Sequence, residues 1–283
     1  RSARTDCRTR APRGAPELRN TVAAPSRCIV RKSAKGRRRA PLLFVHGAFI
    51  GAWCWDEHFL QYFADRGYDA WAVDLRGHSD HEQTEDLASV DDYVADVLLA
   101  VEQLDAPPVL IGHSMGAIVV QRALRRAKAR AMALLAPVPP QGLLGSSFML
   151  AASNPEIFNE INKIQIFDGL AGSPDLLRQA IFSQQLPPAD VKRYLRRMRH
   201  ESQRALFDLS WPQHFWIERT TIPVHVIGAA DDLFFPPSLV EATAALHGVT
   251  AEIVPDIAHA LMLDANWEQT ARGLAAWLER SLR

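Results

Sequence analysis

Cysteine is scarce in this chain of 283 residues, and its three copies, Cys7, Cys28 and Cys54, have no metal-ligand spacing. An odd, scattered set implies no disulfide framework and fits a reducing compartment, so a cytoplasmic protein is expected. Cys54 is read as a packing residue, because no basic partner stands near it in sequence to favour a thiolate. Long apolar runs are also missing. No stretch approaches the roughly 18 consecutive apolar residues of a membrane-spanning helix, so none is expected. There is no His-Glu-x-x-His and no Cys/His ligand pair, so no metal is implied. Neither Gly-x-Gly-x-x-Gly nor a P-loop is present, so no nucleotide cofactor is implied.

Net charge is absent too, but only as an average. Residues 1–40 carry 13 Arg or Lys against Asp6 and Glu17, whereas the remainder carries 19 basic and 30 acidic residues. The larger part is therefore acidic, and nothing in it reads as a nucleic-acid surface. The basic head lacks a signal-peptide apolar run and a helical period. Residues 1–40 are expected to form a disordered extension, with an organelle transit peptide as the alternative and an early strand around 27–30.

What is present alternates. Pro41–Val45 (PLLFV), Tyr68–Leu75 (YDAWAVDL), Val109–Ser114 (VLIGHS), Ala131–Ala136 (AMALLA), Pro223–Gly228 (PVHVIG) and Thr250–Val254 read as strands. Their short apolar runs suit strands buried on both faces. Helical patterns stand between them. One begins at Asp56 and stops at Gly67. Another opens on Ser89 and Asp92, a capping-box pair, and sets Val94, Val97, Leu98, Val101 and Leu104 on one face. A third follows Ser114 to about Ala127, and the last carries Trp267, Ala271, Leu274 and Leu278. This order predicts βαβ units and an α/β fold with a mainly parallel sheet and helices on both faces. Residues 138–216 break the alternation and carry helix-like pieces. They are read as an inserted helical cap between two parts of one core, 41–137 and 217–283.

Chemistry concentrates at the carboxyl ends of the proposed strands, where ligands of such sheets sit. Gly112-His113-Ser114-Met115-Gly116 is a Gly-x-Ser-x-Gly turn between a strand and a helix. Its serine needs a strained backbone, and its glycines leave room for close neighbours. Ser114, then Asp232, then His259 gives a nucleophile, an orienting carboxylate and a base in the order Ser…Asp…His. Asp231 is the alternative carboxylate. His113 and His225 are read as structural, and His78 and His81 as loop residues.

The quoted stretches HGAFIGAWCW (46–55), VDLRGHS (73–79), GHSMG (112–116), VIGAADDLFFP (226–236) and DIAHALML (256–263) together resemble the α/β-hydrolase family, in its capped, single-domain esterase or lipase-like form. The resemblance covers about Pro41 to Leu282. It implies Ser114 as nucleophile, His259 as general base and then acid, and Asp232 as the orienting acid. Asp232 is preferred to Asp231 because Pro236 stands four residues on, as the family has it. The backbone N–H groups of Ala48 and Met115 would form the oxyanion hole. The second loop, Arg76-Gly77-His78-Ser79-Asp80, is one Gly short of the family's usual form.

Phe49, Trp53 and Trp55 near the oxyanion loop suggest a partly apolar small-molecule ester, with Phe49 and Trp53 in the pocket. Serine in the nucleophile position argues against the dehalogenase and epoxide-hydrolase branches. Lactone or amide hydrolysis, acyl transfer, perhydrolysis and carbon–carbon cleavage need nearly the same residues. A ligand receptor on a hydrolase scaffold is the reading from another class. Nothing in the sequence fixes the oligomeric state.

Overall fold

The computed structural model describes residues 28–31, 39–78, 87–167, 173–213, 217 and 220–282. Most of the basic head, His81 with the Ser79-Asp80 end of the second loop, and Trp216 lie outside the described residues. In chain order the elements begin with β1 (Cys28–Arg31), β2 (Leu42–Val45), α1 (Trp53–Asp56), α2 (Phe59–Ala64) and β3 (Ala70–Val73). Then come α3 (Val90–Glu102), β4 (Val109–His113), α4 (Met115–Ala123) and β5 (Ala131–Leu135). Five helices follow without a described strand: α5 (Leu143–Ser153), α6 (Pro155–Phe167), α7 (Pro174–Ile181), α8 (Pro188–Leu195) and α9 (Gln203–Ser210). β6 (Val224–Ala229), α10 (Pro237–Leu246), β7 (Ala251–Val254) and α11 (Trp267–Ser281) complete the chain.

The strands form one sheet in the order β1-β3-β2-β4-β5-β6-β7. All pairings are parallel except β1 with β3, which is antiparallel. The expected α/β-hydrolase architecture is therefore present, with an antiparallel edge strand added.

Side-chain parity explains why the strands read as solid apolar runs. In β2, Leu42 and Phe44 face one core with α1, α2 and α11, while Leu43 and Val45 face another with α3, α4 and α10. Successive residues point to opposite faces, so a strand covered on both sides must be apolar throughout. Each such fully buried Leu or Phe contributes about 1.5–3 kcal/mol.

Two boundaries differ from the sequence reading. Asp56 does not open the helix: residues 53–56 form their own short helix, and α2 starts after His58. The helix after Ser114 ends at Ala123 rather than near 127. The capping box of α3 is present, with Asp92 N–H donating to Ser89 Oγ at 3.1 Å and Ser89 N–H to Asp92 Oδ2 at 2.9 Å.

The chain leaves β2 for β3 on one side and returns to β4 on the other. The loops after β2 and β4 consequently diverge, and a crevice opens between them at the topological switch point.

Candidate active site

Ser114 stands at the tip of β4, directly before α4, with φ 52° and ψ −116°. That is a left-handed backbone, which costs a non-glycine residue of order 1–3 kcal/mol. The described residues hold four such non-glycine positions, Phe49, Ser114, Ala136 and Asp256. They follow β2, β4, β5 and β7 respectively, so the backbone strain is gathered at the carboxyl rim of the sheet. The flanking glycines are required by close approach. A Cβ on Gly112 would lie 2.7 Å from the Cα of Ala117, and one on Gly116 would lie 2.5 Å from the Val45 carbonyl oxygen.

His259 reaches this rim from the loop after β7. Its Nε2 is 3.1 Å from Ser114 Oγ, and its Nδ1 is 2.8 Å from Asp232 Oδ2. Asp232 follows β6 and its carboxylate is fully buried. The second carboxylate oxygen accepts N–H bonds from Phe234 at 2.8 Å and Phe235 at 3.0 Å, which fixes its rotamer. Since the carboxylate only accepts, Nδ1 carries the proton and Nε2 presents its lone pair to the serine hydroxyl. Phe234 and Phe235 stand edge-on to the imidazole, with ring centroids 4.9 and 5.3 Å away. Asp231 is exposed, so of the two adjacent acids only Asp232 meets His259.

Two buried groups brace this geometry. His113 donates from Nε2 to the His259 carbonyl at 2.9 Å. Burial, and then the neighbouring His259, push His113 well below the ordinary imidazole value, so it is neutral. Asp264 accepts from the Ala258 N–H at 3.0 Å and the Ser183 N–H at 2.8 Å, tying the His259 loop to the segment before α8. Neither partnership has a signal in sequence spacing.

The loop after β2 faces Ser114 from the other side of the crevice. Ala48 and Met115 both border the same cavity as Ser114. Met115 is the first residue of α4, where a backbone N–H has no intrahelical acceptor. His46, fully buried, accepts from the Leu75 N–H through Nε2 at 3.1 Å and donates from Nδ1 to the Gly47 carbonyl at 2.8 Å. Burial first, and then the charge of His78, lower it to about 3. Asp74 anchors the far end of the loop by accepting from the Ala52 N–H at 2.7 Å.

A cavity of about 180 Å³ lies over Ser114 and His259. The core lends it Phe49 and Trp53, while α5, α6 and α9 lend Leu150, Phe158, Ile161 and Leu209. Trp53 stacks on Tyr194 at 5.9 Å and carries the Arg197 guanidinium 4.4 Å from its ring centroid. Trp55, near the same loop in sequence, faces the other way. It is buried against Phe44 at 4.9 Å and does not border the cavity. Cys54 is buried likewise, and burial pushes its thiol up, away from the thiolate.

His78 and His225 are each tied to a carboxylate. His225 Nε2 meets Glu252 at 3.0 Å and stacks on Trp277 at 5.1 Å. His78 bonds Glu201 at 3.0 Å, and Tyr93 O–H donates to the other oxygen of that carboxylate at 2.5 Å. Glu201 was not singled out by sequence reasoning.

Among the described residues, no group of three or more His, Cys, Asp or Glu is placed to hold a metal ion. No helix among them is long and apolar enough to cross a membrane.

The chain is similar to a non-heme chloroperoxidase of Burkholderia pyrrocinia, 36% identical over 138 residues, covering 46% of this chain and 45% of the relative. The match thus spans about half the length of that curated relative. Two solved structures share the fold. One is an esterase from Exiguobacterium antarcticum, with TM-score 0.69 and 15% identity over 90% of this chain and 95% of that one. The other is a monoacylglycerol lipase of Paleococcus ferrophilus, with TM-score 0.65 and 20% identity over 89% and 98%. The model of the alpha/beta hydrolase family matches residues 42–273, from β2 through the His259 loop into the last helix, and the chain belongs to that family.

Proposed function

We propose that the protein is a serine hydrolase that cleaves carboxylic esters through a covalent acyl-enzyme. The observation that carries this reading is His259, with Nε2 3.1 Å from Ser114 Oγ and Nδ1 2.8 Å from a buried Asp232. The Ser114 hydroxyl attacks the ester carbonyl while His259 takes its proton, and the resulting oxyanion lies against the N–H groups of Ala48 and Met115. The alcohol leaves with the proton returned by His259. Water, deprotonated by the same imidazole, then releases the acid and regenerates Ser114. Asp232 keeps the tautomer correct and stabilises the imidazolium.

Helices α5–α9, within residues 138–216, serve as a cap whose apolar inner side holds the substrate's apolar part. The cavity is comparable to one that holds a benzene-sized group, about 150 Å³, which favours a compact apolar acyl or alkyl moiety.

The test is labelling with a fluorophosphonate and turnover of short nitrophenyl esters by wild type and Ser114→Ala. Label on Ser114 and turnover lost in the variant are expected. A fully active Ser114→Ala would end the reading, and a protein that binds esters without labelling or turnover would be a receptor.

A second reading follows from the chloroperoxidase relative. Hydrogen peroxide in place of water would convert the acyl-enzyme to a peracid and free Ser114. Peracid formation from an ester and peroxide, lost in Ser114→Ala, would support it.

A further inference from the structure

The Glu201 carboxylate has no part in the proposed proton transfers, yet it is fully buried and saturated with partners. Its Oε2 meets His78 Nε2 at 3.0 Å, and its Oε1 accepts from Tyr93 O–H at 2.5 Å and from the Ser202 N–H at 2.8 Å. The other nitrogen of His78 faces the Arg76 carbonyl at 3.0 Å. A carbonyl and a carboxylate can only accept, so His78 donates from both nitrogens and is an imidazolium. Burial opposes charge on His78, but the charge and hydrogen bond of Glu201 raise it above the ordinary value. Burial likewise opposes charge on Glu201, and His78 with the hydrogen bonds lowers it. This is an ion pair across 123 residues of chain, joining the loop after β3 to the stretch between α8 and α9.

The pair rests against the oxyanion loop. The His78 ring lies 4.9 Å from that of His46. Burial, and then a cation at that distance, keep His46 neutral, and its two hydrogen bonds leave a single tautomer, Nδ1–H donating to Gly47. The sheet order then fixes direction. β2 lies between β3 and β4, and His46 reaches to the β3 side, where it meets Leu75. The Gly47 carbonyl is held against the His46 ring. The peptide is trans, so the Ala48 N–H points oppositely, away from the His46 ring. Gly47 lies tight against that serine: a Cβ there would be 3.1 Å from Ser114 Cβ and 2.8 Å from His113 Nδ1.

We infer that Glu201 and His78 are positioning residues for the oxyanion loop, acting through His46 on the Gly47–Ala48 peptide. The seating of the segment between β5 and β6 is thereby coupled to the formation of the oxyanion hole. The inference rests on the serine-hydrolase reading above.

The test is steady-state kinetics of Glu201→Gln on a short nitrophenyl ester, beside the affinity of a trifluoromethyl ketone that forms an oxyanion on Ser114. Glutamine keeps the shape and can satisfy the same partners, but it removes the charge. We expect kcat to fall about ten- to a hundredfold with KM within about twofold, and ketone affinity to fall in step, because an oxyanion donor acts on the transition state. Glu252→Gln removes the charge from a carboxylate–histidine pair outside the cavity, with His225 at 3.0 Å, and is expected to leave kcat within about twofold. Unchanged kcat in folded Glu201→Gln, or a loss confined to KM, overturns the inference.

Two variants of His46 test the last link independently of whether Glu201→Gln folds. The Asn amide stands where Nδ1 stood and keeps the donor to Gly47. The Gln amide reaches the Nε2 position beside Leu75 and loses that donor. His46→Asn should keep about tenfold more kcat than His46→Gln. Equal or reversed rates overturn the inference. Failure of the hydrolase reading is distinct: wild type would then neither turn over the ester nor label at Ser114, and the inference would fall with it.

Discussion

The imidazole of His113 donates to the backbone carbonyl of His259 across 2.9 Å. The residue before the proposed nucleophile therefore holds the loop that carries the proposed base. Among the described residues nothing accepts or donates at the other nitrogen of His113, so this one bond is its polar role there. His113→Leu should lower kcat on a nitrophenyl ester about tenfold, the equivalent of one net buried hydrogen bond. His113→Gln, whose amide reaches the same carbonyl, should stay within about threefold. Equal losses in the two would show that the ring is needed for packing alone.

The adjacent acids give a second comparison. Asp232 is buried with its oxygens shared between His259 and two backbone N–H groups, whereas Asp231 is exposed. Asp232→Asn presents an amide to Nδ1 and favours the wrong tautomer. A loss of order 10³–10⁴ in kcat is expected. Asp231→Asn is expected to stay within about threefold. Parallel assays of both proteins decide the matter, and a large loss in Asp231→Asn alone would reassign the carboxylate.

The difference between these acids marks how far the sequence could be read. Strands covered on both faces must be apolar throughout, so β2, β4 and β6 stood out as runs, and the polar residues at their ends stood out with them. Ser114, Asp232 and His259 were legible for that reason. Trp53 was read into the pocket, but the burial of Trp55 was not legible, because α1 is too short to show a period. Two residues apart on a helix is about 200° of turn, which sends one ring to the cavity and the other into the core. Glu201 was illegible for another reason. Its partner lies 123 residues away, and the stretch around it carries no strand pattern to place it. The antiparallel edge β1 could be located but not oriented, since an isolated short strand carries no directional signal.

Two glycines should respond oppositely to the same substitution. A Cβ at Gly116 meets backbone oxygen of Val45 at 2.5 Å, and no flexible side chain there can yield. Gly116→Ala should cost about 1–3 kcal/mol or more, as α4 is pushed from β2. A Cβ at Gly145, inside α5, meets nothing within 4 Å. Gly145→Ala should add about 0.5–1 kcal/mol by removing chain entropy from a helix interior. Denaturant midpoints at constant slope would measure both, and loss of stability in Gly145→Ala would contradict the open surroundings of that site.

His46 predicts the acid side of the stability curve. Its folded value, about 3, lies below the ordinary 6.5, so the unfolded chain takes up the proton first as pH falls. The contribution is therefore present above about pH 6.5 and is lost as pH falls toward 3, at about 1.4 kcal/mol per pH unit. His113 is lowered in the same direction and adds to the slope. His46→Asn should be less stable than wild type at pH 7 and flatter between pH 6 and about 4. Parallel curves for the two proteins would mean that His46 is not a buried neutral group.

The His78–Glu201 pair predicts a window with two edges. His78 is raised, so its contribution is complete below the ordinary 6.5 and is lost as pH rises through the raised value. Glu201 is lowered, so its contribution is complete above the ordinary 4.5 and is lost as pH falls through the lowered value. The pair is intact from about 4.5 to 6.5 and beyond each limit as far as the shifts extend. Leaving one charge of a buried pair uncompensated costs about 3–5 kcal/mol, but glutamine lets His78 shed its proton and so costs less. The stability gap between wild type and Glu201→Gln should be widest inside the window and should close on the alkaline side as His78 is neutralised. A gap independent of pH from 5 to 9 would mean that Glu201 and His78 share a neutral hydrogen bond, and the cation beside His46 would have to be given up.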